Sequence, residues 1–166
     1  MIAAGEVVRK VPEAFFLVIG RDNSRDSGFR RKLRRLVKAL GLTGRFLFLD
    51  WAEDTAVALA ASDCFVSASH SESFGLAILE AMASGTPVVA TDTAGAKQLL
   101  ADGDAGILVG IGAPVEIAGA IAGIFQDPAA ADRSARALVR AQREFSLESM
   151  VSATEALYKE VASAAG

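Results

Sequence analysis

Cysteine, histidine, tryptophan and tyrosine each occur once in these 166 residues, and proline four times. A lone Cys64 excludes an internal disulfide, and its neighbours Phe65 and Val66 make it read as a buried core thiol in a reducing compartment. Positive charge is not in excess. The net charge of −3 argues against a nucleic-acid binder. Residues 1–5 offer neither a basic start nor room for the apolar segment of a signal peptide, so a cytoplasmic location is expected. An uninterrupted membrane-length run is lacking too. Residues 107–125 come nearest, with Glu116 as their one charge, but Gly110, Gly112 and Pro114 break them. They divide more naturally into a short strand, a Gly-Pro turn and a helix with Ile117, Ile121, Ile124 and Phe125 on one face. Also missing is a Gly-x-Gly-x-x-Gly turn after the first strand. Gly20-Arg21-Asp22-Asn23-Ser24-Arg25 stands there instead, which weighs against a nicotinamide-dependent dehydrogenase.

What the chain has in quantity is apolar residues: 52% of the total, with a mean hydropathy of +0.35. Without a membrane span, such a composition points to parallel strands buried on both faces. The order of segments agrees. A helix at 2–10 leads to a strand at 15–19, a polar loop at 21–27 and a basic helix ending at Gly41. Strands at 46–49, 64–66, 88–90 and 107–109 then alternate with helices at 54–61, up to Ser84, and at 96–100. A helical tail over about 128–163 follows, with breaks near Asp127-Pro128 and at Ser146. This alternation predicts βαβ units, hence a single α/β domain over 1–166 with a doubly wound parallel sheet of Rossmann-like type. In the basic helix, Arg30, Arg31, Lys32, Arg34, Arg35 and Lys38 accompany an apolar stripe of Leu33, Leu36, Val37 and Leu40. A solvated outer face is the reading this spacing favours, and a contact with a membrane surface is the alternative.

Ligands of such sheets bind at the carboxyl ends of the strands. Of the three loops found there, 20–27 and 49–54 are poor in diagnostic residues, and 67–75 is rich in them. It opens the string Ser69-His70-Ser71-Glu72-Ser73-Phe74-Gly75-Leu76-Ala77-Ile78-Leu79-Glu80-Ala81-Met82-Ala83-Ser84-Gly85-Thr86-Pro87-Val88-Val89-Ala90. A strand ends and a helix begins within a few residues of Ser73. The amides of Ser73, Phe74, Gly75 and Leu76 then point into the crevice with the positive end of a helix dipole behind them, a site suited to a diphosphate. Gly75 lets a phosphate approach the backbone without a side chain in the way. Glu72 precedes the helix and can reach beyond the phosphates. Glu80 lies about two turns along, roughly 8 Å further by helix rise, where a carboxylate can accept from two sugar hydroxyls without a metal. Two glutamates at this separation are, by themselves, also what a solvated helix face would show.

The whole string resembles the signature of glycosyltransferase family 4 (group 1): a Glu, seven residues, a second Glu, a Phe-Gly pair between them, and Ala-Met-Ala-x-Gly-x-Pro-Val-Val-Ala after. The resemblance extends along nearly the entire chain. It includes Val11-Pro12-Glu13-Ala14 with Gly20, Leu40-Gly41-Leu42 before Phe46-Leu47-Phe48-Leu49, Asp102-Gly103-Asp104-Ala105-Gly106, and Phe145-Ser146-Leu147-Glu148. It implies the C-terminal, donor-binding half of a GT-B enzyme that transfers a sugar from a nucleoside-diphosphate sugar with retention of configuration and without a metal or other cofactor. On that reading Glu72 touches the donor sugar, Glu80 the ribose, and Ser73, Phe74, Gly75 and Leu76 the diphosphate. The Asp50-Trp51 loop lies against the base. Trp51 itself reads either as a stacking wall for the base or as a core aromatic, with core contact slightly favoured. His70 reads as a polar loop residue in preference to an acid–base catalyst.

The family's donor half opens with a strand and a Gly-Arg…Lys loop, preceded by an acceptor-binding domain. Here both are expected before Met1, which would fall inside the first helix. Asp50 stands where the family usually has Gly, and Lys97-Gln98 replaces the usual Pro-Glu. Without the cation pair and the second domain, the chain alone is expected to transfer no sugar. The alternative is a non-catalytic nucleotide-binding or interaction module derived from the same fold.

Overall fold

A computed structural model describes residues 1–24 and 27–164; Arg25 and Asp26 of the polar loop lie outside the described residues. The elements run α1 (Ile2–Lys10), β1 (Phe16–Ile19), α2 (Gly28–Ala39), β2 (Phe46–Leu49), α3 (Thr55–Ala60), β3 (Phe65–Ser67), α4 (Leu76–Ala83), β4 (Val88–Thr91), α5 (Ala94–Leu99), β5 (Ile107–Val109), α6 (Pro114–Ile124), α7 (Ala130–Glu144) and α8 (Leu147–Ala164). Every strand pairing is parallel, as expected for βαβ units. Instead of one open sheet there are two, β1-β2 and β3-β4-β5. In a doubly wound order a further strand would stand between β1 and β3. The described residues supply none, so β1 pairs only with β2 and β3 only with β4.

The apolar residues are placed by what covers them. β4 is buried at all four positions. On one side of it, Val88 and Ala90 pack with Ile78, Met82, Leu99 and Leu100 from α4 and α5, and with Ala137 and Ala141 of α7. On the other, Val89 joins Val7 of α1, Val109, and Ile117 and Ile121 of α6. Residues 107–125 divide at the Gly-Pro turn, with Pro114 opening α6. Its last turn departs from the expected stripe, because Phe125 is the α6 C-cap and stands 52% exposed.

α1 lies across both sheets. Its Ala4 and Val8 pack on Phe16, Phe46 and Phe48, while Val7 reaches the β4 cluster. α2 closes the same face only through Val37, its one buried residue. Leu36 and Leu40, expected in the buried stripe, are 37% and 36% exposed. The cation Arg30 turns inward instead. Its guanidinium pairs with Asp50 at 3.1 Å and lies 5.4 Å from the Phe48 ring centroid. The helical tail also divides: α7 belongs to the main core, whereas α8 has no buried residue. Among the described residues no helix is long and apolar enough to cross a membrane.

Candidate functional site

Because the strands of each sheet run parallel, their carboxyl ends share one end of that sheet, and β3 must turn back into α4 between Ser67 and Leu76. Three anchors shape that loop. Thr91, at the end of β4, donates its hydroxyl to the carbonyl of Ser69 at 2.6 Å, with that of Ser67 at 3.4 Å. Gly95 in the first turn of α5 donates its amide to the Glu72 carbonyl at 3.1 Å. A Cβ on Gly95 would come within 2.5 Å of the Phe74 carbonyl oxygen, so only glycine lets α5 approach the loop this closely. Third, the Phe74 ring meets Phe145 edge-on at 5.9 Å, tying the loop to the junction of α7 and α8.

Gly75 ends the loop in the left-handed region, at φ +99°, and forms the N-cap of α4. The first helical bond there runs from the Leu79 amide to the Gly75 carbonyl. Ahead of it, none of the amides of Ser73, Phe74, Gly75, Leu76, Ala77 and Ile78 donates to an acceptor among the described residues. Orphan donors backed by a helix dipole form an anion site. The predicted diphosphate-binding residues Ser73, Phe74, Gly75 and Leu76 are thus brought together at one helix start, with Glu72 half-buried beside them. The Glu72 Cγ lies 3.3 Å from where a Gly75 Cβ would stand.

Glu80 is nearer the helix start than its spacing predicts. α4 begins only at Leu76, so Glu80 is its fifth residue, just over one turn in. It is exposed, and its carboxylate accepts from the Thr55 hydroxyl at 3.4 Å. That contact joins α4 to the first residue of α3, which follows the loop after β2 and is capped by Asp54 accepting from the Ala56 amide at 2.8 Å. Trp51 in this loop is 74% exposed, which overturns its reading as a core aromatic. The shortness of α3, which buries no residue, leaves nothing to pack over it. No hydrogen bond joins Trp51 to Glu80 or Glu72 among the described residues, Glu80 accepting from Thr55 instead. His70 is exposed on the loop. Asp50, in the unusual position, pairs with Arg30 of α2. Lys97, another departure from the expected pattern, pairs with Asp92 at 2.9 Å, and that partner raises its pKa.

Sequence reasoning missed Thr91, Thr93, Gly95 and Phe145. Thr93 caps α5 by accepting from the Ala96 amide. The signal available was the Thr91-Asp92-Thr93-Ala94-Gly95 run, a polar strand end followed by small residues. Among the described residues no group of three or more His, Cys, Asp or Glu side chains is placed to hold a metal ion. Burial pushes the Cys64 thiol up to about 12, although the residue is only half-buried.

A family profile described as "Glycosyl transferases group 1" matches residues 1–127. The lipopolysaccharide core biosynthesis glycosyltransferase LpsE of Rhizobium meliloti is 38% identical over 122 residues, which are 74% of this chain and 34% of that enzyme. The phosphatidyl-myo-inositol mannosyltransferase of Mycolicibacterium smegmatis is 37% identical over 131 residues, 76% of this chain and 32% of that enzyme. The chain therefore spans about a third of the length of these curated relatives. Among solved structures, Anabaena Alr3699/HepE in complex with UDP superposes with a TM-score of 0.86 at 27% identity, covering 98% of this chain and 44% of that one. Sucrose-phosphate synthase from Thermosynechococcus elongatus gives 0.85 at 30% identity, with 98% and 42% covered.

Proposed function

The chain belongs to the glycosyl transferases group 1 family, and from that premise we propose that it is the donor-binding half of a retaining glycosyltransferase that uses a nucleoside-diphosphate sugar. The observation that carries this reading is the row of undonated amides from Ser73 to Ile78 at the start of α4, held in place by Gly95 and Thr91. A diphosphate would be bound there by backbone N–H groups; glycine at position 75 is required by its φ of +99° and by Ile78 and Leu99, which a Cβ would crowd at 3.1 and 3.3 Å. Glu72 would meet the sugar, Glu80 the ribose hydroxyls, and the exposed Trp51 ring is available to stack on the base. That HepE was solved with UDP, and also with UDP-glucose, supports a donor of the same chemical type. Transfer itself is assigned to the longer protein, in which an acceptor-binding half completes the cleft. The retaining outcome and independence of divalent metal are part of the same proposal.

Calorimetric titration of this chain with uridine, guanosine and adenosine diphosphates tests the binding half of the reading. Weak binding of at least one, unchanged by a metal chelator, is the expected result. Glu80→Ala should weaken that binding by about 1.5–3 kcal/mol, because a charged acceptor is lost. Glu72→Ala should leave it nearly unchanged and lower turnover when an acceptor half is present, since its contact grows as the sugar becomes cationic. Negligible effects of both substitutions in both assays would sink the site assignment. Sugar transfer by this chain alone would show that the catalytic parts are misplaced.

A further inference from the structure

Six of the chain's 17 basic residues lie in α2, whose sequence Gly28–Ala39 contains no carboxylate, in a protein of net charge −3. Arg30 is committed to Asp50 and Phe48, with its side chain 11% exposed. Arg31, Lys32, Arg34, Arg35 and Lys38 are exposed, Arg34 with its guanidinium 6.0 Å from the Phe48 ring centroid. Charge alone would be a solvated face. The apolar residues make the difference. Phe29 is 59% exposed, with Leu36 and Leu40 also open to solvent. Separations of seven and four place these three in one row along the helix, with Lys32 between Phe29 and Leu36. Arg31, Arg35 and Lys38, four and three apart, form a second row on the far side of Lys32, so the two rows border the exposed arc of the helix. A helix that only solvates the molecule has no use for the first row.

We propose that the outer face of α2 docks on an anionic phospholipid bilayer, its cations on the headgroups and Phe29, Leu36 and Leu40 at the acyl boundary. Charge complementarity selects the partner, because juxtamembrane cations are attracted to anionic leaflets and an interfacial helix buries its apolar row at the same time. A nucleic acid would take the cations and leave Leu36 and Leu40 unused. Docking would also orient the molecule. β1 feeds directly into α2, and Arg30 donates to the Gly20 carbonyl, so Phe29 stands at the strand-end side that carries the 68–75 loop.

The experiment is co-sedimentation of the chain with vesicles of phosphatidylcholine, with and without about 40% phosphatidylglycerol, at low and high salt. Binding at least ~10-fold tighter to the anionic vesicles, lost at high salt, is expected. The double variant Lys32→Glu/Arg35→Glu should lower it at least ~10-fold, and Phe29→Ser several-fold without altering retention on heparin. Lys159→Glu, on α8, should change nothing. All four side chains are exposed, and unchanged melting temperatures establish that the variants fold. Equal partition to both vesicle types overturns the proposal, as does indifference to the double reversal. Tighter binding to single-stranded RNA than to vesicles, with Phe29→Ser without effect, would instead make α2 a polyanion site and equally overturn it.

Discussion

The two sheets are made of similar apolar strands and end in different surroundings. β4 reads Val-Val-Ala-Thr and is buried at every position, with α6 on one side and α4, α5 and α7 on the other. β1 and β2 read Phe-Leu-Val-Ile and Phe-Leu-Phe-Leu, and neither has a fully buried residue. Their inner face is covered by α1 and, through Val37, by α2, where Phe16 and Phe46 stack at 4.7 Å. On the other face Leu17 and Leu47 are register partners, 40% and 44% exposed. Strand sequence therefore sets periodicity, whereas pairing and burial depend on what the rest of the chain lays beside and against each strand. The three-stranded half also holds the loop that carries the candidate site. Rigid support and site coincide there, as a precisely held amide row requires.

Truncations across the two halves give the largest contrast. Met82→Ala, at a fully buried position, should cost about 2–5 kcal/mol in denaturant unfolding. Leu17→Ala or Leu47→Ala, on the open face, should cost under about 1 kcal/mol. Equal costs would mean that something covers Leu17 and Leu47, and the comparison would break.

Gly95→Ala sharpens the link between core and site. The new Cβ would lie 2.5 Å from the backbone oxygen of Phe74, so either α5 or the 72–75 loop must move. A loss of about 1–3 kcal/mol of stability is expected, together with a marked loss of nucleoside-diphosphate affinity. Gly5→Ala, inside α1 where a Cβ meets nothing within 4 Å, serves as the control and should leave affinity unchanged while raising stability by up to about 1 kcal/mol. Intact affinity in Gly95→Ala would show that the loop does not depend on α5.

Much of this was legible in the sequence, for reasons that particular residues make clear. The bounds of β2 and β5 match the reading, because short apolar runs between glycines and charges leave little choice. The amide row at Ser73–Leu76 was legible because a strand, a Gly and an apolar helix follow in close order. The interruption of the sheet was not read as two separate sheets, since pairing is a property of distant segments. Leu36 and Leu40 were misplaced for a related reason: helical periodicity shows that a stripe exists, not whether anything packs on it. Trp51 failed likewise, its large apolar ring suggesting a core that the six-residue α3 does not provide. The need for glycine at position 95 is set by Phe74, twenty-one residues earlier in the chain, and no local pattern announces it.

The smallest effect concerns Cys64, next to the junction between the halves. Burial raises its thiol to about 12, so the nucleophilic thiolate stays scarce up to about pH 10 and grows only above it. Alkylation of the folded protein near pH 8 should be at least ~100-fold slower than in denaturant. Comparable rates would show that β3 opens readily at its unpaired edge.

The central claim is that the amides at the start of α4 hold a diphosphate. Backbone amide resonances of this 17.2 kDa chain, followed during titration with a nucleoside diphosphate, test it most directly. The largest shifts should fall on Ser73, Phe74, Gly75, Leu76, Ala77 and Ile78, with a smaller set at Trp51 and Glu80. Saturable binding that leaves those six amides unmoved while shifting residues of α6 or α7 would contradict it.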